Sequence, residues 1–180
     1  MKPNKTTIAY IDGANLHRGV LSLGWKIDYA RFRTWLSHRY GVGEAYLFIG
    51  LIPKHKDLYT YLSKSGFTLI YKEVVYDGDG RAKGNCDADL ITQAMRDTYE
   101  GTAEQSILVT SDGDYVPLVK FLMDKGKLVA VLSPAPVKKC SILLKRTGVH
   151  IVYLEDKKAL ISAQNEKAPS RNASLQGSFS

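Results

Sequence analysis

The chain contains few cysteines and no long hydrophobic run, and each shortage excludes a class of protein. Its 180 residues include two cysteines, Cys86 and Cys140. Two are too few for a disulfide framework and have no metal-ligand spacing, so we expect free thiols in a reducing compartment. The apolar run at 8–11 is too short for a signal-peptide core or a membrane span. We therefore expect a cytoplasmic protein with no membrane partner.

The charge of the chain is unevenly distributed. Lys and Arg number 25 against 18 Asp and Glu, which gives a net charge of +7. Residues 157–180 carry an excess of basic over acidic residues and are rich in Ser, Asn, Gln and Ala. The remaining surplus is compatible with a polyanionic partner, although it mainly indicates solubility. We expect one domain over residues 1–156 and a disordered tail over residues 157–180.

Short apolar runs alternate with segments of helical periodicity along the whole of the expected domain. Strands are predicted at 8–11, 45–49, 107–109, 128–132 and 150–154, with a more mixed segment at 67–75 nearer a sheet edge. Helices are predicted at 13–23, 28–40, 55–65, 87–99, 114–125 and 137–146. Strands that are apolar on both faces are typical of parallel sheets covered by helices on each side. The alternation therefore predicts an α/β sandwich with a mainly parallel central sheet.

Acidic residues occur where such a fold binds its ligands. Asp12 ends the first strand and Asp112 follows the strand at 107–109, so both belong to the carboxyl edge of the sheet. A third acidic position is Asp87, which opens a helix and shares a face with apolar residues. Asp89 aligns instead with polar residues of that helix. We therefore expect Asp87 to point toward the sheet and Asp89 toward water.

Convergence of Asp12, Asp87, Asp112 and Asp114 would place several negative charges around one small cavity. Such carboxylates repel one another unless cations hold them together. Oxygen ligands without Cys or His suit Mg²⁺ or Mn²⁺, and carboxylate-bound Mg²⁺ commonly completes its shell with a substrate phosphate. The pattern therefore indicates hydrolysis of a phosphate ester. Asn15, at the start of the helix after Asp12, is placed to orient a water molecule or a phosphate oxygen.

Each of these acids also has an ordinary structural explanation. Asp12 before Gly13 is suited to an Asx turn, and Asp87 and Asp114 are favourable helix N-cap residues. For any single acid the structural explanation is the commoner one. The metal site is favoured because three separate strand or helix ends supply acids to the same predicted edge.

Basic residues and tyrosines lie near this edge too. They are Arg18, Arg81, Lys83, Lys138 and Lys139, together with Tyr10, Tyr76 and Tyr115. Mixed cations and aromatic faces are typical of proteins that bind single-stranded RNA. A solvated charged surface above core tyrosines explains the same residues equally well.

Three segments of the chain resemble the NYN domain family, the LabA-like members of the PIN-like nuclease superfamily. They are IDGANLHRGV, KGNCDADL and LVTSDGDYVPLVKFLMDKGKLVAVLSP, and the resemblance covers about residues 6–154. It implies a PIN-like Rossmannoid three-layer sandwich that hydrolyses RNA with a divalent metal ion. Asp12 and Asn15 match the first motif, Asp87 matches the central acid, and Asp112 and Asp114 match the final pair. Lys83 and Ser111 fall within matching segments.

One position departs from the family pattern. Where many relatives carry an acid within the helix after the central motif, this chain has Gln93. The helical face that contains Asp87 does not include Gln93. Its presence therefore leaves the number of metal ligands open without removing the predicted site.

The sequence thus predicts a metal-dependent ribonuclease, most simply an endonuclease. Asp12, Asp87, Asp112 and Asp114 would hold Mg²⁺ or Mn²⁺, Asn15 would complete the catalytic set, and the RNA would contact Arg18, Lys83 and Ser111. One alternative is a nonhydrolytic RNA-binding or regulatory module with the same fold. Another is a haloacid-dehalogenase-like phosphatase, although that chemistry requires an acid at the position of Ala14. The RNA substrate and the oligomeric state stay open.

Overall fold

The computed structural model describes residues 6–73, 75–76, 78–80, 82–83 and 86–163. The strands are β1 (Thr6–Asp12), β2 (Val42–Leu51), β3 (Thr68–Glu73), β4 (Val75–Tyr76), β5 (Ala82–Lys83), β6 (Ala103–Val109), β7 (Leu128–Ser133) and β8 (Ile151–Tyr153). The α-helices are α1 (Gly13–Ser22), α2 (Tyr29–Tyr40), α3 (Lys56–Lys64), α4 (Asp87–Glu100), α5 (Val116–Asp124), α6 (Ile142–Arg146) and α7 (Lys158–Ile161). Short 3₁₀ helices cover Pro53–His55, Gly113–Tyr115 and Leu154–Lys157.

Six of the strands form one parallel sheet in the order β3-β2-β1-β6-β7-β8. The two shortest, β4 and β5, pair with each other as an antiparallel hairpin between β3 and α4. The predicted α/β class and parallel sheet are therefore confirmed, and so is the edge position of the segment at 67–75, because β3 is an edge strand. In β1, at the centre of the sheet, Ile11 is paired with both Leu47 and Val109.

The sheet separates two apolar cores. Alternate residues of β1 enter different cores, with Ile11 on one side and Tyr10 on the other, as the two-residue period of a strand requires. The first core includes apolar residues of α1, α2 and α3, and the second includes those of α4 and α5. Helices therefore cover both faces of the sheet, which makes the fold a three-layer sandwich.

Helix α6 is shorter than the helix predicted at 137–146. It begins at Ile142 because the Ser141 hydroxyl accepts a hydrogen bond from the Leu143 N–H and caps the first turn. Before it, the Cys140 N–H donates to the Pro136 carbonyl at 2.9 Å and forms a separate turn. Helical periodicity alone did not reveal this turn.

The domain boundary expected at residue 156 needs correction, because the described fold continues past it. Ile161 of α7 is fully buried, and its carbonyl accepts a hydrogen bond from the Asp28 N–H at 2.9 Å. The Arg31 guanidinium donates to the Ser162 carbonyl at 3.1 Å. Residues 157–163 therefore belong to the folded unit, while residues 164–180 of the expected tail lie outside the described residues. No helix in the described part of the chain has the length and apolarity needed to cross a membrane.

Candidate metal centre

Asp12 lies at the junction of β1 and α1. It is the N-cap of α1, and its Oδ1 accepts a hydrogen bond from the Asn15 N–H at 3.0 Å. Its side chain is largely buried, with 8% exposed. The turn thus fixes a carboxylate at the carboxyl end of the central strand, where a parallel sheet places its ligands.

Asp112 and Asp114 lie in the segment that follows β6. The Asp112 side chain caps the 3₁₀ helix Gly113–Tyr115, since its Oδ1 accepts a hydrogen bond from the Asp114 N–H at 3.0 Å. The Asp112 N–H in turn donates to Thr110 Oγ1 at 3.1 Å. Asp112 is half-buried and Asp114 is exposed, so this turn presents two carboxylates at the edge of the sheet.

Asp87 opens α4 and contributes the third element of the centre. Its Oδ1 accepts a hydrogen bond from the Tyr115 hydroxyl at 2.6 Å. Asp89, two residues later, forms an ion pair with Lys72 at 3.1 Å, and both side chains are about two-fifths exposed. The two acids of this helix therefore have different surroundings.

Three of these carboxylates come together. Asp87, Asp112 and Asp114 each offer an oxygen, and these oxygens all lie within 4.8 Å of one another. Three carboxylate oxygens from α4 and the 3₁₀ turn form a donor set that fits a hard divalent cation. Asp12 is linked to this set through Tyr115, whose hydroxyl oxygen lies 3.1 Å from Asp12 Oδ2.

The surroundings of Asp12 shift the pKa of its carboxyl in both directions. Burial raises the pKa of Asp12 and nearby Asp87 raises it further, whereas the hydrogen bonds from Asn15 and Tyr115 and the charge of Arg18 lower it. The pKa of Asp12 is raised overall. A cation bound beside these carboxylates would favour their ionised forms, so the electrostatics of the site suit an ion.

Tyr115 is the residue of the centre that the sequence did not reveal. The sequence suggested Tyr10, Tyr76 and Tyr115 as stacking surfaces for bases, but Tyr10 and Tyr115 are fully buried and Tyr76 is 57% exposed. Burial, followed by the Asp12 and Asp87 carboxylates, raises the pKa of Tyr115 far above its ordinary value. The phenol therefore stays protonated and donates. The sequence contained only a weak indication of this contact. Tyr115 directly follows Asp114, and a buried tyrosine hydroxyl needs a hydrogen-bond partner.

Asn15 and Ser111 are joined to each other. Asn15 Oδ1 accepts hydrogen bonds from the Ser111 N–H at 2.8 Å and from the Ser111 hydroxyl at 2.9 Å. The Ser111 carbonyl accepts a further bond from the Ser141 N–H at 3.1 Å. The side-chain oxygen of Asn15 thus connects α1 to the segment that carries Asp112. The sequence did not predict this contact.

Helix capping, the ordinary structural explanation for these acids, applies to Asp12 and Asp112 and not to Asp87 and Asp114. Asp12 and Asp112 both cap helices with their side chains. The N-cap of α4, however, is Cys86 and not Asp87, and Asp114 lies within the 3₁₀ helix that Asp112 caps. The capping role predicted for Asp87 and Asp114 is therefore wrong, and capping does not account for the place of either carboxylate.

The basic residues expected near the site lie on different elements. Arg18 is exposed on α1, and Lys138 and Lys139 are exposed on the turn before α6. Lys83 lies in β5, whereas Arg81 lies outside the described residues.

Gln93 belongs to a separate polar group. Its amide donates to Asp97 Oδ1 at 3.0 Å, one turn further along α4. The other oxygen of Asp97 accepts a hydrogen bond from the Tyr10 hydroxyl at 2.9 Å. Gln93 thus supports a buried carboxylate elsewhere in the second core.

A family model described as the NYN domain matches residues 6–155. No curated protein matches the chain. Among solved structures, the crystal structure of a protein of unknown function from Vibrio parahaemolyticus superposes with a TM-score of 0.71 at 23% identity, covering 89% of this chain and 99% of that one. At that identity the likeness shows a shared fold.

Proposed function

The chain belongs to the NYN domain family, and from this membership we propose that it is a divalent-metal-dependent ribonuclease that hydrolyses phosphodiester bonds within RNA. The family places it in the PIN-like nuclease superfamily. The observation that carries the proposal is the approach of the Asp87, Asp112 and Asp114 oxygens to within 4.8 Å of one another. Carboxylates this close to one another repel, and a divalent cation bound between them would offset that repulsion.

In the proposed site, Asp87, Asp112 and Asp114 hold Mg²⁺ or Mn²⁺ together with Asp12. When bound, such an ion supplies Lewis-acid stabilisation of the charge that develops on the phosphate. Asp112 and Asp114 are presented by one turn, which Asn15 fastens to α1 through Ser111. Asn15 therefore contributes by fixing the geometry of the ligands, in addition to any contact with water or phosphate.

RNA is the proposed substrate because the described surface combines the acidic centre with exposed cations. Arg18 and the turn bearing Lys138 and Lys139 are exposed, and that turn is adjacent to the ligand-bearing segment through the bond from Ser141 to Ser111. Such cations attract a phosphate backbone toward the centre. We also assign Lys83 and Ser111 to this RNA interface. We propose that the RNA is bound in its single-stranded form and that the protein acts in the cytoplasm.

Replacement of Asp112 by Asn tests the proposal. Asp112→Asn removes the charge but keeps an oxygen able to accept from the Asp114 N–H, so the turn should survive. We expect it to abolish Mn²⁺-stimulated cleavage of single-stranded RNA, measured with end-labelled RNA in the presence and absence of Mn²⁺. Asp89→Asn is the matched control, because Asp89 pairs with Lys72 and its loss should leave cleavage intact.

Full cleavage by both Asp112→Asn and Asp87→Asn would contradict the proposal. RNA binding that needs no metal and yields no product would favour the nonhydrolytic module instead. The phosphatase alternative is disfavoured by the surroundings of Asp12. Its Oδ1 accepts a hydrogen bond from the Asn15 N–H, its Oδ2 lies 3.1 Å from the Tyr115 hydroxyl oxygen, and the side chain is 8% exposed. A nucleophilic aspartate has to reach its substrate.

A further inference from the structure

One buried hydroxyl lies between two acids that belong to different elements of the candidate centre. Tyr115 lies 2.6 Å from Asp87 Oδ1 and 3.1 Å from Asp12 Oδ2, measured from its hydroxyl oxygen. Asp12 ends β1 and Asp87 begins α4, while Tyr115 belongs to the 3₁₀ turn that also carries Asp114. The hydroxyl therefore connects all three elements of the centre.

The position of this hydroxyl is set by the core. Tyr115 is fully buried in the second apolar core, together with Leu90 of α4 and Leu118 of α5. A ring enclosed in this way has little freedom to move, because protein interiors are packed as densely as organic crystals. Its oxygen is therefore a fixed point against which two carboxylates are oriented.

The shorter of the two contacts, to Asp87, is a strong hydrogen bond. A hydroxyl donating to a carboxylate at 2.6 Å has the length of a charge-assisted bond. The single hydroxyl hydrogen is donated to one carboxylate at a time, and the shorter distance favours Asp87. Both carboxylates nevertheless turn one oxygen toward the same point, and the partial positive charge of the hydrogen reduces the repulsion between them.

We propose that Tyr115 is a positioning residue of the metal centre, whose hydroxyl holds the Asp12 and Asp87 carboxylates in their ion-binding arrangement before the ion arrives. This inference rests on the proposed metal-dependent function. Groups that hydrogen-bond to metal ligands typically change metal affinity by about 10–100-fold when they are removed. Loss of the Tyr115 hydroxyl should therefore weaken ion binding even if the fold is kept.

The experiment compares two variants that each remove one buried hydroxyl. Tyr115→Phe removes the bonds to Asp12 and Asp87, whereas Tyr10→Phe removes an equally buried bond to Asp97 on the same helix α4. Binding of Mn²⁺ to the full chain is measured by calorimetry, and thermal unfolding is followed in EDTA. We expect Tyr115→Phe to weaken Mn²⁺ binding by about 10–100-fold, and Tyr10→Phe to lower the unfolding temperature with unchanged Mn²⁺ affinity.

The outcomes separate this inference from the proposed function. Mn²⁺ binding by Tyr115→Phe as tight as that of the unaltered chain, or tighter, overturns the positioning role, as does equal weakening in Tyr10→Phe. If the unaltered chain binds Mn²⁺, Tyr115→Phe binds it weakly and no RNA is cleaved, the positioning role stands and the ribonuclease proposal fails. If the unaltered chain does not bind Mn²⁺, both proposals fail.

Discussion

Among the individual residues, His17 shows how burial controls charge close to the centre. It lies on α1 and is 4% exposed. Burial, with a smaller contribution from the charge of Arg18, lowers the pKa of His17 to about 4. The ordinary value is 6.5, so the folded protein keeps His17 neutral over a range of pH in which the unfolded chain would protonate it.

His17 should make the protein less stable in mild acid. The unfolded chain takes up the proton first as the pH falls, so stability contributed by neutral His17 is complete above about pH 6.5 and is lost progressively between about pH 6.5 and pH 4. We expect the difference between pH 7 and pH 5 to be about 2 kcal/mol in the free energy of unfolding. The measurement is urea unfolding at both pH values.

The variant His17→Gln provides the comparison, because glutamine does not titrate. Its unfolding free energy should fall less between pH 7 and pH 5 than that of the unaltered chain. Equal pH dependence in the two proteins would show that the pKa of His17 is not depressed in the fold. Whatever the variant does to absolute stability, the difference in slope reports on the histidine alone.

At the scale of elements, the packing of α1 against the segment after β7 depends on one glycine. A Cβ atom at Gly19 would lie 2.7 Å from the Pro134 Cβ and 2.9 Å from the Pro134 carbonyl carbon. Contacts that short force one of the elements to move. Since Pro134 precedes the turn that leads to Ser141, this close approach helps to place the segment that contacts Ser111.

Gly19→Ala should therefore destabilise the protein, although alanine usually stabilises a helix relative to glycine. The usual gain is about 1 kcal/mol, while overpacking in a filled interior costs about 1–3 kcal/mol. We expect a net loss, because one of the clashing atoms belongs to the backbone. Thermal and urea unfolding measure it, and Gly78→Ala is the control, since a Cβ there has no neighbour within 4 Å. Equal stability of the two variants would contradict the packing argument.

For the whole molecule, the C-terminal segment closes the first core. Ile161 is fully buried there, and its carbonyl and that of Ser162 accept hydrogen bonds from α2 and the residue before it. Loss of a buried isoleucine typically costs about 2–5 kcal/mol. The compositional change after residue 156 therefore does not coincide with the end of the packed structure.

Two truncations test where the folded unit ends. A chain ending at Asp156 lacks Ile161 and should unfold at a clearly lower temperature than the full chain. A chain ending at Ala163 keeps every contact just described and should unfold with the full chain, as calorimetry can show. Equal unfolding temperatures for both truncations would place the boundary back at 156.

The parts of this protein that follow from local pattern were predictable from its sequence. Continuous apolar runs identified the strands of β1 and β6, because a strand covered on both faces needs apolar residues at every position. Asp12 and Asp112 could be placed at one sheet edge because Asp12 ends one such strand and Asp112 comes shortly after the other. The family motifs indicated the same acids. Neither inference required knowledge of contacts between distant residues.

The tertiary structure alone decided how these residues meet. Tyr115 contacts an acid 103 residues away and Asn15 a serine 96 residues away, and both contacts exist because β1 and β6 are neighbours in the sheet. Sequence periodicity describes one element at a time and contains no information on the partner across a packed interface. For the same reason, it left open whether Tyr115 lies at the surface or in the core, extended α6 by a turn and ended the domain before Ile161. The sequence determined which acids stand at the edge, and packing determined which hydroxyl, turn and helix hold them there.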